Sequence, residues 1–143
     1  MLKLSKKTKY AILAMQYMAA NPEKIVSAKE ISENFALSFE FISKIMQNLK
    51  LGGLICSQKG VKGGYELNCL PDEATVADII DIIEGKAALV DCFEDEEVCT
   101  RYDECTIRGP MEQLQKEIDS VFGSMTLAEL AKNMLHKKSV EYA

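Results

Sequence analysis

The stretch from Ser27 to Leu67 constrains the fold of this 143-residue chain more than any other segment, because it carries the pattern of one compact motif. Ser27 followed by Glu30 forms an S-x-x-E capping box, which indicates the first turn of a helix. Ser38 then begins a second helix after a turn of about three residues. Two short helices joined in this way predict a helix-turn-helix.

The second helix has an apolar side and a polar side. Its apolar residues have the i, i+3, i+4, i+7 spacing of a buried face; they are Ile42, Ile45, Met46 and Leu49. The polar side carries Glu40, Ser43, Lys44 and Gln47. The second helix of a helix-turn-helix lies in the DNA major groove, where polar side chains read base edges.

A glycine-rich hairpin follows this helix. Gly52 and Gly53 end the helix, and residues 54–57 and 65–67 have the composition of strands. The loop between them includes Lys59, Lys62 and Gly63. A helix-turn-helix followed by a hairpin is a winged helix, so the fold is expected to be mainly α with a small β-hairpin.

Charge is divided unevenly along the chain. The net charge is −5, yet residues 1–70 hold ten Lys against five Glu, whereas residues 71–143 hold seven basic against seventeen acidic residues. This division predicts that the first half meets phosphates. A solvated lysine-rich face is the alternative.

Residues 6–20 are predicted to form a helix, with Ala11, Met15 and Met18 on its buried face. Its first turn is rich in lysine, which is unfavourable at the positive end of a helix dipole unless an anion such as a phosphate lies there. Tyr10 is read either as a DNA contact or as a partly buried aromatic. The predicted DNA-contacting residues are Lys6, Lys9, Tyr10, Ser38, Glu40, Ser43, Lys44, Gln47, Lys59, Lys62 and Gly63.

The five cysteines are an odd number, which favours ligands or sensors over a disulfide framework. Cys56 and Cys69 are expected to pack as small apolar residues. Cys92, Cys99 and Cys105 lie in a long aperiodic segment with the spacing C-x6-C-x5-C. Thiolates around a metal centre could order such a segment. This spacing matches neither a zinc knuckle nor a ferredoxin, so inert or redox-active thiols remain the alternative.

A heptad pattern follows the cysteine segment. Its apolar residues have the spacing 4, 3, 4, 3 of a coiled-coil seam, in a helix expected to begin at Pro110. Two heptads are too short to be stable alone, so the seam is expected to form a dimer interface or to pack on its own domain. The seam residues are Ile107, Met111, Leu114, Ile118 and Val121. Thr126 then opens a last helix.

Several classes of protein are excluded by what the sequence lacks. There is no run of about 18 apolar residues and no secretion signal, so a cytoplasmic protein without a membrane partner is expected. There is also no nucleophile–base pair and no phosphate-binding loop, so an enzyme is not expected.

The motifs resemble those of the IscR/NsrR-type (Rrf) family of bacterial winged-helix, iron–sulfur-dependent transcriptional regulators. The similarity extends over almost the whole chain. The matching motifs are LSKKTKYA at 4–11, LS at 37–38, GLI at 53–55, GGYEL at 63–67, TVADII at 75–80 and the three cysteines at 92, 99 and 105.

The resemblance implies a homodimer on a double-stranded DNA operator. It also implies one 2Fe-2S or 4Fe-4S cluster per subunit, held by the three cysteines and readily lost during aerobic preparation. Three functional segments are then expected: a winged helix-turn-helix domain (1–85), a cluster-binding loop (86–106), and a dimerisation helix with the C-terminal helix (107–143). The alternative is a cluster-independent regulator controlled by thiol oxidation, a small molecule or a partner protein.

The chain departs from the pattern of the family that it resembles at several positions. Ser43 stands where relatives often have glutamate and Lys59 where they often have arginine, so the family's operator sequence is not carried over. The fourth cluster ligand also stays open. Arg108, three residues after the last cysteine, cannot ligate a metal, and Thr8 stands where one branch of the family has an acid.

Overall fold

A computed structural model describes residues 3–86 and 88–141, with side chains described up to residue 135. The helices are α1 (Lys6–Ala20), α2 (Ala28–Phe35), α3 (Phe39–Leu51), α4 (Val76–Glu84), α5 (Arg108–Ser124) and α6 (Leu127–Glu141). Strands β1 (Ile55–Gln58) and β2 (Gly64–Leu67) lie between α3 and α4. The expected mainly helical fold with one hairpin is confirmed. None of the described helices has the length and apolar character needed to cross a membrane.

Helices α1, α2 and α3 bury the apolar faces that their periodicity predicts. Ser38 caps α3 by accepting a hydrogen bond from the Phe41 N–H (3.4 Å). Ala36 adopts a left-handed conformation (φ 52°) and ends α2, which gives the tight turn of the helix-turn-helix. The fully or almost fully buried residues on these helices include Ala11, Met15, Met18, Ile31, Ile42, Ile45, Met46 and Leu49.

The capping box expected at the start of α2 is only half formed. The Ser27 hydroxyl accepts a hydrogen bond from the Glu30 N–H (3.1 Å) as expected. The Glu30 carboxylate does not return to Ser27. It accepts a hydrogen bond from the Tyr17 hydroxyl (3.1 Å) and pairs with Lys24. Glu30 therefore ties α2 to α1, a contact that the local motif could not reveal.

The hairpin is anchored to the segment before α2. Its strands are antiparallel, with Ile55 opposite Leu67. Tyr65 also pairs with Val26, donating its N–H to the Val26 carbonyl (2.8 Å) and accepting the Val26 N–H (2.9 Å). A Cβ on Gly64 would lie 2.8 Å from the Val26 carbonyl oxygen, so this close pairing requires glycine. The hairpin is therefore held against the body of the protein at its base.

Helix α5 begins at Arg108, two residues before the expected start at Pro110. Pro110 is the third residue of the helix, where the backbone N–H has no partner within the helix in any case. The proline is therefore tolerated, and the predicted first position was wrong.

Helix α6 packs on α1 and completes the main hydrophobic core. Leu127 is fully buried and Ala131 almost so. The Gln16 side chain on α1 donates a hydrogen bond to the Leu130 carbonyl (2.8 Å). The Val76 N–H, at the start of α4, donates to the Met125 carbonyl (2.9 Å). The division into three functional segments stays a prediction, but α6 shares its core with residues 1–85.

Candidate nucleic-acid interface and cysteine site

The outer face of α3 presents polar side chains. Glu40, Lys44 and Gln47 are exposed, whereas Ser43 is half-buried at the edge of this face. Their i, i+4, i+7 spacing places the three exposed residues on one side of the helix, opposite the buried residues. Ser38 serves as the helix cap. The arrangement suits insertion of α3 into a DNA groove, although contact of each residue with DNA stays a prediction.

The loop of the hairpin is fully open to solvent at its tip. Lys59, Val61 and Lys62 are all exposed there. Gly63 is packed within the hairpin, since an added Cβ would lie 2.7 Å from the Gln58 carbonyl oxygen. The hairpin geometry thus gives Gly63 an intramolecular role, and its predicted approach to DNA stays a prediction.

The start of α1 places two exposed lysines, Lys6 and Lys9, beside a structural aromatic residue. Tyr10 is half-buried, and its ring meets that of Phe41 on α3 edge to face, with centroids 5.8 Å apart. Tyr10 therefore joins α1 to α3, as its alternative interpretation anticipated. A DNA contact through its hydroxyl stays a prediction.

Glu84, the last residue of α4, supplies negative charge at the N-terminus of α1. Its Oε1 accepts a hydrogen bond from the Ser5 N–H (2.9 Å) and another from the Thr8 hydroxyl. These hydrogen bonds from Ser5 and Thr8 hold the pKa of Glu84 below its usual value. The lysine-rich first turn of α1 therefore has an anion within the protein, and a DNA phosphate is not needed to explain it. Thr8 is fully buried in this network and is not placed to ligate a cluster.

The three cysteines of the 92–105 segment line one cavity. The segment contains three single 3₁₀ turns, Asp91–Phe93, Glu96–Val98 and Tyr102–Glu104, rather than a featureless loop. Cys92, Cys99 and Cys105 are free, half-buried thiols. They face a common cavity of about 280 Å³, whose other lining residues are Val90, Asp91, Val98, Ile107, Arg108 and Met111.

Three thiols around one cavity are a suitable donor set for an iron–sulfur cluster, since such clusters are held mainly by cysteine thiolates. Among the described residues, no three side chains of His, Cys, Asp or Glu converge closely enough to hold a single metal ion.

Arg108 gives this cavity a fixed positive charge. Its guanidinium lies over the Tyr102 ring at 4.3 Å, and its Nε pairs with Glu112 Oε1 at 3.3 Å. A hydrogen bond to Glu96 raises the pKa of Tyr102, and burial adds to this effect, so the phenol stays neutral near pH 7. Arg108 itself cannot ligate iron, because a guanidinium only donates hydrogen bonds.

The other two cysteines have the structural role that the sequence suggests. The Cys56 thiol donates to Glu66 Oε1 (3.6 Å), and the Cys69 thiol donates to the Leu54 carbonyl (3.5 Å). Burial and the nearby Glu66 raise the pKa of Cys56, and burial is the main cause that raises the pKa of Cys69. Both thiols are therefore mostly protonated and poorly reactive near neutral pH.

Helix α5 exposes the predicted heptad seam. No residue on it is buried in the single chain. Ile107 is 60% exposed, Leu114 44% and Val121 67%, whereas Met111 and Ile118 are half-buried. The second half of the seam, from Leu114 to Val121, lines an open groove of about 310 Å³. A contiguous apolar stripe of this kind indicates an interaction surface.

Comparisons with known proteins agree with this arrangement. A family model named Rrf2, described as an iron-dependent transcriptional regulator, matches residues 4–133. The chain is 34% identical to the transcriptional regulator CymR of Bacillus subtilis over 131 residues, covering 91% of this chain and 90% of CymR.

Two solved structures are similar throughout. CymR, described as the global cysteine regulator of B. subtilis, superposes with a TM-score of 0.74 at 32% identity, covering 93% of this chain and 98% of CymR. IscR of T. potens gives a TM-score of 0.72 at 31% identity, with coverage of 93% and 88%.

These relatives are transcriptional regulators, which confirms the expectation that the chain is not an enzyme. The family match spans far more than half of the residues, and it includes the winged helix, the cysteine segment and α5. The chain therefore belongs to the Rrf2 family of transcriptional regulators.

Proposed function

We propose that this protein is a dimeric, cytoplasmic DNA-binding regulator whose operator affinity is switched by an iron–sulfur cluster held by Cys92, Cys99 and Cys105. The observation that carries the proposal is the common cavity onto which all three thiols open. Arg108 on the same cavity would compensate the charge of the thiolates. The relatives of this protein include an IscR regulator, and the Rrf2 family is described as iron-dependent.

The proposed DNA interface consists of the polar face of α3, the lysines of the hairpin and the start of α1. Phosphate contacts from Lys6, Lys9, Lys59 and Lys62 would position the protein without reading sequence. Glu40, Lys44 and Gln47 would contact base edges. The exposure of these residues supports this assignment.

The proposed dimer pairs the exposed seams of two α5 helices. Burying that stripe removes apolar surface from water, which contributes roughly 25 cal/mol for each Å². The same helix carries Arg108 and Met111 of the cysteine cavity. Ordering of the cysteine segment would therefore act directly on the helix that sets the separation of the two winged helices.

The switch follows from this connection. When bound, the cluster supplies a centre that changes charge state or is lost on oxidation. The cysteine segment packs against the start of α5, so its reordering would shift α5 and the spacing of the two α3 helices. Half-sites repeat about one DNA turn apart, and a small change in spacing misaligns one α3 with its groove.

Anaerobic purification followed by visible absorption and an iron assay tests the cluster directly. We expect a coloured, iron-containing protein, and Cys99→Ala should lose both colour and the cluster-dependent change in DNA affinity. Cys69→Ala is the matched control, because Cys69 lies outside the cavity and should retain both. A colourless wild-type protein that binds genomic DNA fragments as well as the reconstituted form would refute cluster control.

A second candidate is control by thiol oxidation without a cluster. It is favoured by the three free thiols on one cavity. In that case peroxide treatment of iron-free protein would change DNA affinity in the wild type and in Cys69→Ala but not in Cys99→Ala. Cluster control predicts no such response in iron-free protein.

A further inference from the structure

A second cavity lies next to the cysteine site and is larger. Its volume is about 470 Å³, within the range of small-molecule sites. It lies between α4, α5 and the first part of the cysteine segment. Its lining residues are Ala77, Ile80, Asp81, Lys86, Ala88, Phe93, Glu94, Gln115, Asp119 and Phe122.

The two helices present regular faces to this cavity. On α5 the residues Gln115, Asp119 and Phe122 have i, i+4, i+7 spacing, and this face lies beside the seam through Leu114, Ile118 and Val121, with Phe122 at the boundary of the two. The Leu89 N–H donates to Gln115 Oε1 (2.8 Å), which fixes the connecting segment against α5. This hydrogen bond therefore holds one wall of the cavity in place.

The lining has an apolar floor and a charged rim. Ile80 is buried, and the Phe93 and Phe122 rings are half-buried. Asp81, Glu94 and Asp119 are exposed at the rim with Lys86, which places three carboxylates against one ammonium. Apolar walls with a few polar groups at one side are typical of a site that orients a small amphipathic ligand. The excess of carboxylates selects a positive charge, and the aromatic rings suit an apolar body.

We propose that this cavity is an effector site for a small organic cation, a protonated amine joined to an aromatic or branched aliphatic group. The ammonium lies among the three carboxylates, and the apolar body contacts Phe93, Phe122 and Ile80. The site does not require the cluster, because none of its lining residues is a cysteine.

The cavity adjoins both the cysteine site and the helix α4, which contacts the start of α1. The 3₁₀ turn Asp91–Phe93 separates the two cavities, with Cys92 on one and Phe93 on the other. Asp81 lies one turn of α4 before Glu84, and Glu84 accepts a hydrogen bond from Ser5 at the start of α1. A ligand held between α4 and α5 therefore stabilises one arrangement of the winged helix relative to the dimer helix. Coupling between sites is reciprocal, so the ligand and DNA alter each other's affinity by the same factor.

An NMR titration of the full-length, iron-free protein with 2-phenylethylamine tests the assignment. The same titration with 2-phenylethanol and 3-phenylpropionate separates the contribution of charge from that of the ring. We expect saturable amide shifts around Ala77, Ala88 and Asp119, with the amine binding at least fivefold more tightly than the alcohol and the carboxylate binding most weakly. Equal affinity for all three compounds, or shifts confined to other regions, would overturn the proposal.

Variants locate the site. Asp119→Asn should weaken amine binding about fivefold and leave alcohol binding unchanged, whereas Asp72→Asn removes an equal charge outside the cavity and should have no effect. Ala77→Leu fills part of the cavity and should weaken binding of both compounds. This variant guards against a structural effect of Asp119→Asn, whose carboxylate accepts a hydrogen bond from Gln115 (2.9 Å). Equal weakening by Asp72→Asn and Asp119→Asn would refute the site.

The regulatory role has its own readout. Saturating amine should change the affinity of the iron-free protein for a bound genomic fragment at least threefold, and Ala77→Leu should abolish that change. Cys99→Ala should retain it, so failure of the cluster proposal and failure of this one are distinguishable. An unchanged DNA affinity at saturating amine would overturn the effector role.

Discussion

At the scale of single residues, Glu84 resolves two apparent conflicts at once. A carboxylate at the end of α4 lies beside the negative end of its own helix dipole, and lysines at the start of α1 lie beside a positive one. The structure joins these positions, because Glu84 accepts hydrogen bonds from Ser5 and Thr8. The sequence displays both conflicts but not their common solution, since Ser5 and Glu84 are 79 residues apart.

Neutralising this carboxylate should destabilise the protein in a pH-dependent way. The folded-state pKa of Glu84 is below its ordinary value of 4.5, so its charge contributes stability above about pH 4.5, and the contribution is lost as the pH falls through the lowered pKa. Glu84→Gln should reduce the free energy of unfolding at pH 7 by about 1 kcal/mol or less, because the group is largely solvated. Urea unfolding at several pH values and one protein concentration measures this.

The matched control is Glu73→Gln, which removes the same charge from an exposed turn. The difference between wild type and Glu84→Gln should shrink as the pH is lowered below 4.5, whereas Glu73→Gln should follow the wild type throughout. A loss of stability that is the same at every pH would mean that Glu84 acts through packing rather than through its charge.

At the scale of secondary-structure elements, local periodicity predicted what depends on local contacts. The bounds of α1, the buried face of α3 and the caps at Ser27 and Ser38 follow from residues within one or two turns of each other. The pairing of Val26 with Tyr65 could not be predicted in this way, because it joins segments about 40 residues apart. Three thiols sharing one cavity could be suspected from their spacing, but the cavity itself depends on how α5 packs.

Helix α4 is the clearest example of contacts that the local sequence could not predict. Its sequence indicates only an apolar core helix. In the structure its start is tied to the segment before α6 through the bridge between Thr75 and Thr126, and its end caps α1. Its Ile82 side chain packs on Gly52 at the end of α3, where an added Cβ would lie 2.5 Å away. This element therefore connects the winged helix with α5 and α6.

Helix α5 carries the prediction about assembly. Val121 is 67% exposed in the single chain, so Val121→Glu should disturb the fold little. Two such carboxylates on a paired seam would lie in an apolar interface without partners, which is unfavourable. We expect the variant to elute as a monomer under conditions where the wild type is a dimer, as measured by light scattering coupled to size-exclusion chromatography.

Ser120→Glu provides the control for this helix. Ser120 is exposed and lies on the opposite side of α5. Its replacement by glutamate therefore introduces the same charge away from the seam. It should remain dimeric. If both variants remain dimeric with the wild-type mass, the seam is not the interface.

At the scale of the whole molecule, the charge division separates a basic half of the sequence from an acidic half. Residues 1–70 carry a net charge of +5 and residues 71–143 a net charge of −10. The fold keeps α3 and the hairpin in the first part, while the cysteine segment and α5 belong to the second. Because carboxylates repel phosphates, we expect the surfaces formed by the acidic half to disfavour DNA.

The salt dependence of DNA binding tests whether the exposed lysines of the hairpin contact phosphates or are only solvated. Each neutralised phosphate contributes about 0.9 to the slope of log K against log salt concentration. Lys62→Ala should therefore flatten the slope by about 0.9 per subunit, or about 1.8 for a dimer, and weaken binding to unrelated fragments to the same degree. Lys116→Ala removes the same charge from the exposed surface of α5, outside the proposed DNA interface, and should leave the slope unchanged. A slope unaffected by Lys62→Ala would show that the hairpin stays in solvent, and the DNA interface would then be limited to α1 and α3.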